Sequence, residues 1–152
     1  MRKLLILGGL ATCLVLAACE KAEEAPAAPA APVVKKSLAR RASTYAGQEQ
    51  IQSVASGKAE VDGTGLKLQA EGQAPGPGYT GAFFLPRIYA AAPKDGIYEV
   101  DVIANAPATP GAKTPTPITV KGVWPNYPAG RLKGVRFMTA TNDVVAMLPE
   151  AK

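Results

Sequence analysis

Few side chains in this sequence could do covalent chemistry. Cys19 closes the apolar run Leu14-Val15-Leu16-Ala17-Ala18, where a thiol is the most nucleophilic group near neutral pH. Glu99 and Asp101 lie two residues apart in the alternating stretch Ile97 to Asn105. Both carboxylates should therefore share one strand face, about 7 Å apart. Glycoside hydrolysis uses carboxylate pairs at such separations when they flank a cleft. Within one alternating run, the pair reads instead as the solvent-facing half of a strand. Asp62-Gly63-Thr64-Gly65 offers calcium a single carboxylate, too few for a site by itself.

The chain has no histidine, which excludes a Ser-His-Asp triad, a Cys-His pair and His-ligated zinc or iron. No GxxxxGK run occurs, and no GxGxxG enters a helix. The expectation is a protein that is not an enzyme, with no cofactor and no metal.

Binding chemistry is better represented. Gly76 to Gly81 (GPGYTG) and Trp124 to Arg131 (WPNYPAGR) set Tyr79, Trp124 and Tyr127 among Pro and Gly. Aromatic rings on stiff loops offer large contact area at low entropy cost and suit glycan stacking or peptide docking. Alternatively, Trp124 ends a strand inside the core and the prolines only shape corners. These three residues are the candidate partner-binding set.

The start of the chain places this domain. Met1-Arg2-Lys3 precedes an apolar run from Leu4 to Ala18, about 15 residues long. That is short of the roughly 20 needed to span a bilayer. A basic start, a short apolar stretch and small residues are the pattern of a secretory leader. Leu16-Ala17-Ala18-Cys19 resembles the lipobox of bacterial lipoproteins. The resemblance implies cleavage before Cys19 and a diacylglycerol on its thiol. It also implies a further fatty acyl group, such as palmitate, on the new amino group. One acyl chain holds a protein to membranes marginally, two or more stably. Glu20 follows where some members of the family carry an inner-membrane retention aspartate. The resemblance thus favours the periplasmic face of the outer membrane over the inner membrane. Cys13 would leave with the leader, so the mature chain has only Cys19 and no internal disulfide.

Residues 1–18 are read as leader, 19–46 as a lipidated, disordered Ala/Pro/charged tether, and 47–152 as a β-rich globular domain. EKAEEAPAAPAAPVVKK, residues 20–36, has too little apolar bulk to fold and leans toward polyproline II. Ser37 ahead of LARRASTYAGQEQ can cap a short helix, against which Gly47 counts. The formal charge of +5 is concentrated outside the domain. From Tyr45 onward ten Lys/Arg face nine Asp/Glu, so a basic nucleic-acid-binding face is not expected.

Period-two alternation marks the strands. Gly57 to Val61 and Leu66 to Gly72 flank the Asp/Gly cluster as a hairpin. Phe83 to Ala90 follows, with Pro86 implying an edge or a bulge. Pro93-Lys94-Asp95-Gly96 turns into Ile97 to Asn105, and Ile118 to Trp124, Gly134 to Ala140 and Val144 to Leu148 complete the set. Six or seven strands without a long helix predict an all-β fold, a small antiparallel sandwich or barrel. GYTGAFFLPRIYAAAPKDGIYEVDV resembles small exported bacterial domains of unknown function. The expected function is non-enzymatic. A membrane-anchored envelope lipoprotein binds another envelope component, protein or peptidoglycan, through its β-domain. The alternative is a lipoprotein inhibitor of a hydrolase (lysozyme or protease) acting through a Pro/aromatic loop, with WPNYPAG or the Thr/Pro-rich loop Ala108 to Pro117 as candidates. A small-ligand carrier would need a sizeable apolar pocket open to solvent.

Overall fold

The computed structural model describes residues 39–63 and 65–149. The leader, Cys19 and the Ala/Pro stretch lie outside the described residues. Ten strands follow in order: β1 (Ala39–Arg40), β2 (Gln48–Gln50), β3 (Ser53–Asp62), β4 (Gly65–Ala74), β5 (Thr80–Pro86), β6 (Ile88–Tyr89), β7 (Ile97–Asn105), β8 (Thr116–Trp124), β9 (Gly134–Met138) and β10 (Asp143–Met147). The seven longer ones, β3, β4, β5, β7, β8, β9 and β10, fall on the alternating runs of the sequence. No helix forms over residues 39–50.

One sheet is β3-β4-β8, antiparallel throughout, with the β3–β4 hairpin closing at Asp62 opposite Gly65. The other is built around β7. β5 takes one edge of β7; β9 and then β2 take successive stretches of the other, and β10 lies outside β9. The all-β sandwich is antiparallel as expected save for one pair: β7 and β9 run parallel, Ile97 opposite Gly134. A parallel pair needs a crossover, and β8, in the opposite sheet, supplies it. Neither sheet closes into a barrel. Pro86 ends edge strand β5, a position that tolerates its lost N–H, and the pairing of β5 with β7 slips at the other end, between Thr80 and Phe83.

The inner faces are complementary in size. The three-stranded sheet contributes Val54, Leu66, Leu68 and Val120 with Ala59 and Ala70, and the β7 sheet contributes Tyr98, Val100, Val102, Val135 and Phe137, all in one buried cluster. A Cβ on Gly57 would lie 2.5 Å from the Phe137 ring, and one on Gly122 would lie 3.1 Å from Phe84. Strand glycines thus mark where rings of the facing sheet approach the backbone. The Asn142 carboxamide adds a polar stitch. It accepts from Val54 N–H at 2.9 Å and donates to Val54 C=O at 2.7 Å, as a neighbouring strand would.

The outer face of β7 is not solvent-facing, which corrects the reading of Glu99 and Asp101. Asp101 is fully buried, and the side chains of Arg41, Gln50 and Arg87 converge on it. Ala39 pairs with Tyr89, so residues read as the end of the tether are held against the sheet.

Candidate functional site

The path of the chain gives the sandwich a polarity. Ala39 enters beside Tyr89, whose ring packs edge-on against Tyr98 at 5.1 Å; Tyr98 in turn meets Trp124 at 6.4 Å. The chain then climbs along β7, from Arg41 beside Asp101 to Gln48 opposite Asn105. Its entrance and the far end are therefore separated by most of the length of β7, roughly 25 Å at about 3.3 Å per residue.

The far end is a tip of three loops. Pro75, Pro107 and Pro110 wall a groove of about 410 Å³ that also contains Glu49, Tyr79 and Lys113. The loops are closely fitted: a Cβ on Gly76 would come within 2.5 Å of the Ala112 carbonyl oxygen. Gly78 takes φ +86° against Pro107, a left-handed conformation that favours glycine. The Tyr79 hydroxyl donates to Glu49 Oε2 at 2.8 Å. That hydrogen bond, then partial burial, then the carboxylate's charge, hold the phenol above its ordinary 10.0. A raised pKa favours the folded state below the unfolded pKa and loses that contribution as pH rises through the folded value. Glu49→Ala is expected to bring the Tyr79 phenol back toward 10.0 in a titration followed by tyrosinate absorbance. An unchanged titration would mean the hydrogen bond does not persist in solution.

Tyr45, 82% exposed, stands at the same tip, just ahead of Gly47. Its backbone N–H donates to Gln48 Oε1 at 3.0 Å. No Pro/Gly run flags Tyr45 in the sequence; its only signal is the turn glycine two residues later.

The fold does not bring Tyr79 together with Trp124 and Tyr127. Trp124 pairs with Leu66 at the opposite end, and it and Tyr127, like Tyr79, are partly buried against the core. At that end lies a second, larger groove of about 880 Å³. Val61, Tyr127, Leu132, Met147, Leu148 and Pro149 line it together with Glu60 and Lys133.

Glu99 and Asp101 form an ion-pair cluster. Arg87 Nη2 and Nε donate to the two oxygens of Asp101 at 2.8 and 3.0 Å, and Nη1 donates to Glu99 at 2.8 Å. Gln50 Nε2 donates to Asp101 at 2.5 Å, and Arg41 bridges to Gln50 at 2.6 Å. The hydrogen bond to Asp101 holds the Arg87 guanidinium above its ordinary range. Both carboxylates are thus committed to a guanidinium, an arrangement that locks a strap onto a sheet rather than exchanging protons with a substrate.

The outer face of the three-stranded sheet holds a shallow groove of about 410 Å³ containing Lys58, Lys67 and Lys121 with Glu60. Lys67 is paired with Asp62 at 2.6 Å, which pulls Asp62 below and pushes Lys67 above their ordinary pKa values. Among the described residues, no group of three or more His, Cys, Asp or Glu is placed to hold a metal ion. Comparison with family models, curated protein sequences and solved structures returned no match.

Proposed function

We propose that this protein is a membrane-anchored envelope lipoprotein, not an enzyme, whose β-domain binds another envelope component through its tip. The observation that supports this most is the placement of Tyr79, in a proline-walled groove, and exposed Tyr45 at the end away from where the chain enters. A domain tethered through Cys19 by an Ala/Pro-rich stretch would carry that tip outward from the lipid. Proline walls and tyrosine faces hold shape without the ordering cost of long flexible side chains, and they suit an extended peptide or a glycan. Glu49 and Lys113 supply a hydrogen-bond acceptor and a cation beside the ring.

Of the two loops open to a hydrolase inhibitor, WPNYPAG and the Thr/Pro-rich loop, the second is the better placed. Trp124 and Tyr127 pack against the domain, whereas residues 108–115 are exposed and share the tip. An inhibitor would therefore use the Thr/Pro-rich loop rather than WPNYPAG.

The test is in-cell photocrosslinking of the full-length protein. A benzophenone amino acid is placed at Tyr45 or at Val123, an exposed position on the outer sheet face. The expected result is a discrete adduct, protein or muropeptide, from position 45 and none from 123. Adducts from 123 alone would overturn the tip assignment. A captured foreign hydrolase at 45 would favour the inhibitor reading.

A further inference from the structure

The groove at the other end presents different chemistry. Its lining is apolar, and two of its members, Val61 and Met147, are 58% and 60% exposed although they end β3 and β10. Two exposed aliphatic side chains beside Tyr127, Leu132, Leu148 and Pro149 form one contiguous patch rather than scattered surface residues. The groove has about twice the volume of the tip groove, about 880 against 410 Å³. Its charges, Glu60 and Lys133, are opposite in sign and offset one another. An ionised headgroup would gain little there. A hydrocarbon chain attached through a neutral ester or amide would lose nothing.

We infer that this groove takes a fatty acyl chain, and that the chain it takes is one carried on Cys19. The inference rests on the lipoprotein reading above. The chain enters the domain at this end, through Ala39 beside Tyr89. The twenty steps from Cys19 to Ala39 reach roughly 60 Å when extended and about 25 Å as a coil. The end of a sandwich whose strands are about 4.8 Å apart lies well within that reach. A ligand on so short a tether is present at an effective concentration in the millimolar range, so a groove of weak intrinsic affinity is filled. Away from a membrane, an acylated chain must bury its hydrocarbon somewhere. Holding one of these chains in the groove lessens the hydrocarbon left to water until a bilayer competes for the same chain.

The mature chain has two methionines, Met138 and Met147, so ¹³C-methyl labelling gives a two-signal spectrum with one reporter in the groove. The unacylated mature chain, Cys19→Ser, is titrated with monopalmitoylglycerol. The Met147 methyl is expected to shift while Met138 stays. Adding Val61→Glu, at an exposed site that the fold tolerates, is expected to weaken the binding at least tenfold. In the acylated protein, diluted below the micelle concentration of its detergent, Met147 is expected at the bound position already, with no further shift on titration. A Cys19→Ser chain that does not respond overturns the inference. An acylated protein that titrates like the unacylated one overturns the assignment to its own anchor, leaving an acyl site for membrane lipid. Mass spectrometry showing no acyl group on Cys19 overturns the lipoprotein reading itself, whatever the Cys19→Ser chain binds.

Discussion

Replacing Arg87 by methionine is expected to cost the domain about 3–5 kcal/mol, the range found when one partner of a buried ion pair is removed. Asp101 has no solvent contact, and the Arg87 side chain is only 10% exposed. Methionine keeps most of the length and cover of arginine but supplies no donor. The Asp101 carboxylate would retain Gln50 at 2.5 Å and Arg41 at 3.7 Å, and lose the paired bonds from Nε and Nη2. Glu99 would lose its guanidinium as well. Since small domains are stable by only about 5–15 kcal/mol, the urea midpoint should fall far enough to bring unfolding close to ambient conditions. The double variant Arg87→Met with Asp101→Leu is the informative companion. It removes both charges, and much of the loss should return, because a buried ion pair is often no better than a well-packed apolar replacement. A loss below about 1 kcal/mol for Arg87→Met would put the cluster with ordinary surface pairs.

That cluster also shows where the sequence stops being legible. Period two assigns Glu99 and Asp101 to one face of β7 correctly, and Tyr98, Val100, Val102 and Ala104 to the other. It carries no information about what covers each face. Here the side chains of Arg41, Gln50 and Arg87 close over the acidic side, so an alternation that reads as half-exposed has Asp101 buried on one face and Val100 and Val102 on the other. The long strands were legible because each is a local pattern. Leu66, Leu68 and Ala70 in β4 and Val135 and Phe137 in β9 point inward as their spacing requires. The parallel pairing of β7 with β9 was not, because strand order depends on how β8 crosses between sheets. β1 and β2, of two and three residues, are too short to carry a period.

The candidate sites follow the same division. Tyr79, Trp124 and Tyr127 stand out individually as aromatics among Pro and Gly. Which loops meet at which end is a property of topology, and topology separates Tyr79 from the other two. It also adds Tyr45 to the tip, and it assembles the apolar groove from Val61, Tyr127 and Met147, which lie far apart in sequence. Neither strand-end Val61 nor Met147 is unusual alone. Only their common exposure at one end makes them a surface.

The fit between the two sheets carries the second large effect. Gly57 faces Phe137, which is fully buried, and a Cβ at position 57 would lie 2.5 and 2.6 Å from two ring carbons. Real side chains do not approach that closely, so Gly57→Val must push the ring or the strand aside. Overpacking of a filled core typically costs about 1–3 kcal/mol, and a β-branched side chain against an aromatic ring belongs at or above the top of that range. Phe137→Ala errs in the other direction. It removes a buried ring, also packed edge-on against Phe84 at 5.5 Å, and such truncations cost about 3–5 kcal/mol. If the ring and the glycine fit each other as the geometry indicates, the two changes are coupled. The valine of Gly57→Val would occupy part of the space that Phe137→Ala vacates, and the double variant should be more stable than the sum of the two losses by at least 1 kcal/mol, within the coupling range of touching residues. Equilibrium urea melts of the four proteins close the cycle. Strict additivity would mean that the sheets do not meet at this pair in solution. The size-matched packing that holds β3 against β9 would then have to be sought elsewhere in the core.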